Sequence, residues 1–290
     1  MSRTVTLAVT QMTCSPEPLE NQDRGEYLVR DAASKGAKII LLQELFERPY
    51  FCKDQNPDYL QWAQPADGNP LLERFSALAK ELEVILPLSF FESATNVFYN
   101  SVALLDVDGS CQGIYRKSHI PDGPGYQEKY YFTPGNTGFK VWDTRFGKLG
   151  VGICWDQWFP EAARLAALNG AQFLFYPTAI GFQECDLNES EQQISAWEII
   201  QKSHAIANGL FVASVNRVQK EKDLTFWGNS FICNPFGKLI KQASGDKAEI
   251  IIASCKLDEI KVTRQSWPFL RDRRIDCYKN LNKIFLGSDE

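Results

Sequence analysis

Short apolar runs alternate with longer, mostly polar stretches along the first third of the chain. The apolar runs at 4–12, 38–45 and 84–91 have the length and character of buried strands. The stretches at 17–35 and 69–83 instead carry their apolar residues at helical spacing. This part of the chain is therefore predicted to alternate between strand and helix.

Paired apolar runs separated by turn residues follow in the middle of the chain. Asp108-Gly109 is a strong hairpin signal between the runs at 100–106 and 111–117. The remaining predicted elements are a hairpin of 138–144 and 148–153, strands at 172–178, 210–216 and 248–256, a helix at 190–208, and a hairpin of 230–234 and 238–243. Strands that alternate with helices and also form hairpins predict an α/β fold, in which helices cover mixed sheets.

The elements follow one another without a linker, a low-complexity segment or an internal repeat. Residues 1–290 are therefore predicted to form a single domain. A C-terminal tail, from about 260 to 290, carries apolar side chains among many charges and is weak as a core of its own. We expect this tail to lie at a subunit interface, and the alternative is that it packs on its own domain. The apolar side chains of the tail are Trp267, Phe269, Leu270, Tyr278, Ile284, Phe285 and Leu286.

Composition restricts the classes of function. The 290 residues are 44% hydrophobic and 23% charged, and the net charge of −5 argues against a nucleic-acid partner. No run approaches the ~18 apolar residues of a membrane span, and the N-terminus lacks the apolar stretch of a signal peptide. The eight cysteines and two histidines show no zinc-binding spacing. We therefore expect free thiols in a reducing cytoplasm, no metal site and no membrane association.

The stretch 150–161 has the pattern of a strand that ends on a cysteine and turns sharply into a helix. Val151 and Ile153 supply the strand, and Pro160 suits the first turn of a helix, where its missing N–H has no partner to lose. We expect Cys154 to be exposed at this turn, near free N–H groups and the positive end of the helix dipole. Those conditions lower a thiol pKa and predict a nucleophile, the most reactive of the cysteines. The alternative is an ordinary buried cysteine.

Two charged residues lie at the ends of predicted strands. Glu44 ends an apolar run, where an unpaired carboxylate is costly to bury and where α/β sheets bind ligands. Lys117 ends another strand, in which Arg116 and Lys117 face opposite sides. Each residue could be an ordinary solvated charge at a strand end. Together with Cys154, however, they supply the groups of a catalytic site: a thiol as nucleophile, a carboxylate that can move protons and an ammonium as cation.

Three segments of the sequence carry a resemblance to a known family. They are Leu-Gln-Glu-Leu-Phe at 42–46, Tyr-Arg-Lys-Ser-His-Ile-Pro at 115–121 and Gly-Ile-Cys-Trp-Asp at 152–156. These segments resemble the motifs of the nitrilase superfamily of carbon–nitrogen hydrolases, in that family's order, and the similarity covers residues 4–260. The resemblance implies a four-layer αββα sandwich with two mixed sheets. It also implies a small-molecule substrate, no cofactor, and assembly into homodimers or larger homo-oligomers.

The same resemblance implies roles for five residues. Glu44, Lys117 and Cys154 would form a catalytic triad, in which Cys154 forms a thioester with the carbonyl carbon of the substrate. Glu44 would move the protons, and Lys117 with the backbone N–H of Trp155 would stabilise the oxyanion. Glu128, which is unremarkable by sequence alone, would be a second carboxylate near Lys117 and the substrate.

Three longer segments, at 121–132, 154–164 and 176–181, resemble a group within the family that hydrolyses an N-carbamoylated diamine. The implied products are the diamine, carbon dioxide and ammonia. The loop at 182–191 departs from the pattern of that group, which leaves the far end of the substrate open. The alternatives are an N-carbamoyl amino acid or an ω-amide as substrate, and, outside catalysis, a silent binding scaffold of the same fold.

The far end of a diamine substrate carries an ammonium group. A buried ammonium needs a carboxylate or an aromatic face to offset its desolvation. The loop at 181–191 contains Glu184, Asp186, Glu189 and Glu191 and no basic residue. We expect Glu184, the acid nearest the preceding strand, to bind the ammonium. The alternative is a solvated acidic loop before a helix, where acids are favourable in any case.

Overall fold

The computed structural model describes residues 3–286, except for the side chains of residues 184, 186 and 187. Proline occupies the start of three of the helices, where its missing N–H is not needed. The Asn69 side chain accepts hydrogen bonds from the N–H groups of Leu71 and Leu72 and so caps the second helix. The helices of the described residues are α1 (Pro18–Ser34), α2 (Pro70–Leu82), α3 (Pro160–Leu168), α4 (Ser190–Asn208) and α5 (Asp258–Ser266).

The strands pair largely as the hydrophobic pattern predicts, including the three predicted hairpins β4–β5, β6–β7 and β13–β14. The strands of the described residues are β1 (Thr4–Gln11), β2 (Ile39–Leu42), β3 (Leu86–Ala94), β4 (Val97–Leu105), β5 (Cys111–Arg116), β6 (Val141–Thr144), β7 (Gly147–Val151), β8 (Phe173–Pro177), β9 (Gly181–Gln183), β10 (Phe211–Val215), β11 (Val218–Glu221), β12 (Leu224–Trp227), β13 (Phe231–Cys233), β14 (Leu239–Gln242) and β15 (Glu249–Lys256).

The longer strands form two mixed sheets. One has the order β14-β13-β10-β8-β7-β6. The other joins β15-β1-β2 to β3-β4-β5, because the N–H of Ile40 donates to the carbonyl of Ile85 and the N–H of Ile85 donates to the carbonyl of Lys38. In both sheets parallel and antiparallel neighbours occur together.

The two sheets pack face to face, and helices cover their outer faces. Ile39 and Leu41 of β2 lie in the core between the sheets, whereas Ile40 and Leu42 pack against α1 and α2. This alternation explains why β2 is apolar at every position. The other sheet packs in the same way against α3 and α4, where Trp197 lies in a separate buried cluster. The predicted four-layer αββα sandwich is confirmed.

The structure differs from the predicted elements in three places: one strand is shorter, and a small sheet and a helix are additional. The strand predicted at 38–45 ends at Leu42, because Leu45 has a φ of +48° and cannot continue a strand. A small three-stranded sheet, β11-β12-β9, was not predicted, since β9 has three residues and β11 is polar at its two central positions. Helix α5 was also not predicted; it occupies the beginning of the region taken as a tail.

Candidate active site

Three of the residues singled out in the sequence follow the ends of strands, two in one sheet and one in the other. Glu44 lies two residues after β2, Lys117 directly follows β5, and Cys154 lies three residues after β7. Glu128 begins a short 3-10 turn, Glu128–Tyr130. All four side chains are buried, so neither Glu44 nor Lys117 is a solvated strand end.

The ammonium group of Lys117 lies between two carboxylates. Its Nζ donates to Oε1 of Glu44 at 2.9 Å and to Oε2 of Glu128 at 2.6 Å. Burial by itself would lower the pKa of Lys117, but the carboxylates of Glu128 and Glu44 outweigh it and hold that pKa well above its usual value. Lys117 is therefore a permanent buried cation. The adjacent Arg116 faces the other way, toward Glu92, as the strand alternation predicts.

Glu44 keeps one carboxylate oxygen without a hydrogen bond. Its Oε1 accepts from Lys117 and, at 2.6 Å, from the side-chain amide of Asn100. Its Oε2 is buried and has no hydrogen-bond partner in the part of the chain that the structure describes. A fully buried carboxylate oxygen without a donor is an available proton acceptor. Sequence reasoning missed Asn100, although an amide inside the mostly apolar strand β4 was a signal.

Glu128 is the second carboxylate of the site. Its Oε1 accepts a hydrogen bond of 2.7 Å from the hydroxyl of Tyr50. Burial raises the pKa of Glu128 to about 6, with Glu44 adding to the rise and Lys117 opposing it. Tyr50 lies in the loop after β2, and sequence reasoning gave it no role. One positive and two acidic groups thus share a closed, hydrogen-bonded cluster.

Cys154 occupies the strained turn between β7 and α3. Its φ is +43°, which is rare for a residue with a side chain and typical of functional positions. The expectation of an exposed thiol at a helix start is wrong, because the side chain is 3% exposed. A 3-10 turn, Cys154–Trp158, separates the cysteine from α3. Its Sγ faces the carbonyl of Ala179 at 3.8 Å.

The electrostatic setting of the thiol also differs from the prediction. Burial raises the pKa of Cys154 well above its usual value, the Glu44 carboxylate adds to this rise, and the Lys117 ammonium opposes it. The thiol is therefore protonated at rest. A base is needed to remove its proton as it attacks, and Glu44 is the carboxylate with an oxygen free to accept it.

Asp156 holds the turn that carries the thiol. Its carboxylate accepts hydrogen bonds from the backbone N–H groups of Ile153 and His119, at 2.9 and 3.0 Å, and from the hydroxyl of Tyr115 at 2.7 Å. The ring Nδ1 of His119 lies 2.7 Å from the same carboxylate. Trp155, the residue between Cys154 and Asp156, is second in the turn, where backbone N–H groups have no partner within a helix. Its N–H is thus a donor next to the thiol.

A cavity of about 610 Å³ opens above Cys154. Trp155 borders it and is 39% exposed, and its ring lies 6.3 Å from that of Trp158. The walls are apolar, aromatic and amide side chains, and none of the described lining residues is acidic or basic. The lining residues are Pro121, Pro124, Tyr126, Cys154, Trp155, Trp158, Ile180, Gly181, Gln183, Cys185, Gln193, Ala196 and Trp227. The side chain of Glu184, the residue predicted to bind an ammonium, lies outside the described residues.

Two broader properties concern residues 3–286. Within them, His, Cys, Asp and Glu side chains nowhere form a group of three that could ligate a metal. Over the same residues, each helix is too short or too polar to cross a membrane.

Comparisons with known proteins show the family to which this chain belongs. The family described as carbon-nitrogen hydrolase matches residues 6–265. The chain is 50% identical to the N-carbamoylputrescine amidase of Oryza sativa subsp. japonica, with 96% of this chain and 94% of that protein covered. It is 45% identical to the citrullinase of Francisella tularensis, with 96% and 98% covered. The solved structure of a carbon-nitrogen hydrolase from Helicobacter pylori G27 has a TM-score of 0.94 and 41% identity, covering 98% of this chain and 100% of that one.

Proposed function

Because this chain belongs to the carbon-nitrogen hydrolase family and is a hydrolytic enzyme, we propose that it hydrolyses N-carbamoylputrescine to putrescine, carbon dioxide and ammonia. The observation that carries the proposal is the ammonium of Lys117 held between Glu44 and Glu128 beside a buried thiol. A nucleophile, a base and a fixed cation in one closed cluster are the groups that acyl transfer needs. The 50% identity to the rice enzyme supports the choice of substrate.

In the first half of the reaction, Sγ of Cys154 attacks the ureido carbonyl carbon and its proton passes to Glu44. The oxyanion forms between Nζ of Lys117 and the backbone N–H of Trp155, which stabilise it as donors. The tetrahedral intermediate then collapses, and Glu44 returns the proton to the departing nitrogen. The product on the enzyme is a carbamoyl thioester of Cys154.

In the second half, water attacks the thioester and Glu44 accepts a proton from it. Collapse expels the thiolate, which regains a proton from Glu44, and releases a carbamic acid. The carbamic acid breaks down to carbon dioxide and the second amine. One water is consumed for each putrescine, carbon dioxide and ammonia formed. Lys117 keeps its proton throughout, because Glu44 and Glu128 hold its pKa high.

The cavity supports a substrate whose far end is cationic. Its described lining has no arginine or lysine to pair with a substrate carboxylate, while Trp155, Trp158 and Trp227 offer aromatic faces. An aromatic face attracts an ammonium and an aliphatic chain alike. A second candidate substrate is citrulline, which the relative from Francisella tularensis suggests through its name.

A panel of four substrates tests the proposal. Ammonia release is measured from N-carbamoylputrescine, citrulline, N-carbamoyl-β-alanine and glutaramate under identical conditions. We expect kcat/KM for N-carbamoylputrescine to exceed the others by roughly 10-fold or more, because the described lining of the cavity has no arginine or lysine to pair with their carboxylates. A higher kcat/KM for any of the other three would overturn the choice of substrate.

Glu184 remains our proposal for the partner of the substrate ammonium. Glu184→Gln is expected to raise KM for N-carbamoylputrescine by roughly 10-fold and to change kcat much less, because a charged hydrogen bond contributes about 1.5–3 kcal/mol. Glu189→Gln in the same loop is the control and should leave KM unchanged. A normal KM in Glu184→Gln would transfer the role to another group.

We also propose that residues 1–290 form a single domain that assembles into a homo-oligomer through its C-terminal tail. Ile284 and Phe285 of the tail are 101% and 78% exposed, and Ile199 on the outer face of α4 is 60% exposed. Side chains of this kind are expected to be covered by a second copy. Light scattering at micromolar concentration should find a dimer or larger species, and Ile284→Asp should weaken it. A purely monomeric parent protein would refute the assembly.

The setting that we propose is the cytoplasm, where the reaction would supply putrescine for polyamine synthesis. All eight cysteines lie within the described residues and none of them is in a disulfide, and Cys111 and Cys277 are exposed. Exposed free thiols suit a reducing compartment.

A further inference from the structure

Arg217 is a fully buried cation that the mechanism above does not use. It lies in the turn between β10 and β11 and has no exposed surface. Burial of an arginine is costly unless its donors are used. The contacts of its guanidinium therefore indicate what the residue does.

The guanidinium binds the backbone that carries Glu44. One of its terminal nitrogens donates to the carbonyl of Glu44 at 3.1 Å and to the carbonyl of Leu45 at 2.5 Å. Both carbonyls lie beyond the end of β2, so the sheet provides no donors for them. Leu45 has a φ of +48°, which costs backbone energy and needs support from its surroundings. Arg217 supplies that support at Leu45, the residue directly after the base Glu44.

The other side of the guanidinium reaches the second carboxylate of the site through Tyr50. It donates to Oε1 of Glu221 at 3.1 Å, and Oε2 of Glu221 accepts the backbone N–H of Tyr50 at 2.7 Å. The guanidinium also lies 5.9 Å from the centre of the Tyr50 ring. The hydroxyl of Tyr50 in turn donates to Glu128. Arg217 is thus connected to Glu44 by one path and to Glu128 by another.

We propose that Arg217 is a positioning residue that sets the places of both carboxylates around Lys117, directly at the Glu44 backbone and through Glu221 and Tyr50 at Glu128. This inference rests on the proposed function, since it assumes that Glu44 moves the protons. A misplacement of about 1 Å in a reacting group can lower a rate by about 10²-fold. A planar guanidinium reaches two carbonyls and a carboxylate at once, and a lysine ammonium cannot keep that geometry.

The substitution Arg217→Lys tests the proposal, since it keeps the positive charge and removes the planar guanidinium that reaches the two carbonyls and the carboxylate. We expect kcat for N-carbamoylputrescine to fall by at least ~10-fold while KM changes by less than about 3-fold, because the base is displaced and the cavity is not. The measurements are made well below the unfolding temperature of each variant. A lower stability alone would not produce this split between kcat and KM.

Arg264→Lys is the matched control. The Arg264 guanidinium also donates to two backbone carbonyls, those of Asn208 and Ala171. These carbonyls precede β10 and β8, at the end of the sheet opposite the active site. The control is expected to lose stability and to keep kcat and KM within about 2-fold. If Arg217→Lys behaves like Arg264→Lys, Arg217 is merely structural and the proposal is wrong.

Two further arms keep the result decisive. If Arg217→Lys does not fold, Glu221→Gln replaces it, and its kcat should fall several-fold with KM kept; an unchanged kcat would overturn the proposal.

Tyr50→Phe removes a hydrogen bond that lowers the pKa of Glu128, so the acidic limb of its pH–rate profile should move to higher pH. An unmoved limb would contradict the path to Glu128. Failure of the parent enzyme on every substrate in the panel would instead refute the proposed function.

Discussion

Replacement of Cys154 by alanine or serine is expected to lower kcat by at least ~10³-fold while leaving the fold intact. Alanine removes the nucleophile. Serine keeps the shape but must form an alkoxide, which is harder to reach than a thiolate in a site that already raises the pKa of the thiol. The buried side chain is small, so neither change creates a large cavity.

The check on Cys154 is steady-state ammonia release together with thermal unfolding of each variant. Cys255→Ala is the control, because Cys255 is also buried but lies on β15. It should keep kcat and lose a little stability. Turnover of the Cys154→Ala variant at the parent rate would exclude covalent catalysis at this residue.

Labelling of the cysteines is expected to follow a different order from the one that the sequence predicts, in which Cys154 is the most reactive. Cys154 is buried and its thiol pKa is raised, whereas Cys111, Cys185 and Cys277 are exposed. Iodoacetamide reacts with accessible thiolates. We therefore expect the exposed cysteines to be labelled before Cys154, and peptide mass spectrometry can follow the order.

The second large effect is expected at the two charged members of the triad. Glu44→Gln keeps the size of the side chain and the contact with Asn100 but removes the proton acceptor at Oε2. Lys117→Ala removes the cation from the place where the oxyanion forms. Each change is expected to lower kcat by about 10²–10⁴-fold. Arg116→Ala is the control, since that side chain faces Glu92 on the other side of the strand, and its kcat should stay within about 3-fold of the parent value.

Lys117→Ala should also change how stability depends on pH. Lys117 lowers the pKa of Glu128, which is about 6 and already above its ordinary value. Without the cation the pKa of Glu128 in the folded state rises further. In the unfolded state Glu128 loses its proton near the ordinary carboxyl pKa, whereas in the folded variant it keeps that proton to a higher pH. Parent and variant should lose stability together as the pH rises to about 6, and above about 6 the variant should lose more than the parent. Urea unfolding at several pH values measures this, and parallel curves for parent and variant would contradict the account of the cluster.

Local sequence pattern determined most of the elements. Runs of apolar residues at periods of 2 and 3.6 depend on neighbours in the chain, so they predicted α4 to the residue and most strands to within a few positions. The same local reasoning located Glu44, Lys117 and Cys154 at strand ends. It did not predict β9, β11 and β12, because short or polar strands carry almost no periodic signal.

The character of the site was decided by tertiary structure alone. The local sequence pattern could not show that Cys154 is buried with a raised thiol pKa, because burial depends on which distant segments pack together. Only the family resemblance implied that Glu128 lies near Lys117, and the structure shows the hydrogen bond between them. Asn100 and Tyr50 acquire roles only through contacts with residues more than 50 positions away. The sequence by itself determined which chemical groups are present and which local elements carry them. Only the packing of the two sheets decided which of these groups are hydrogen-bonded to one another and which are buried away from water, since both depend on distances through space.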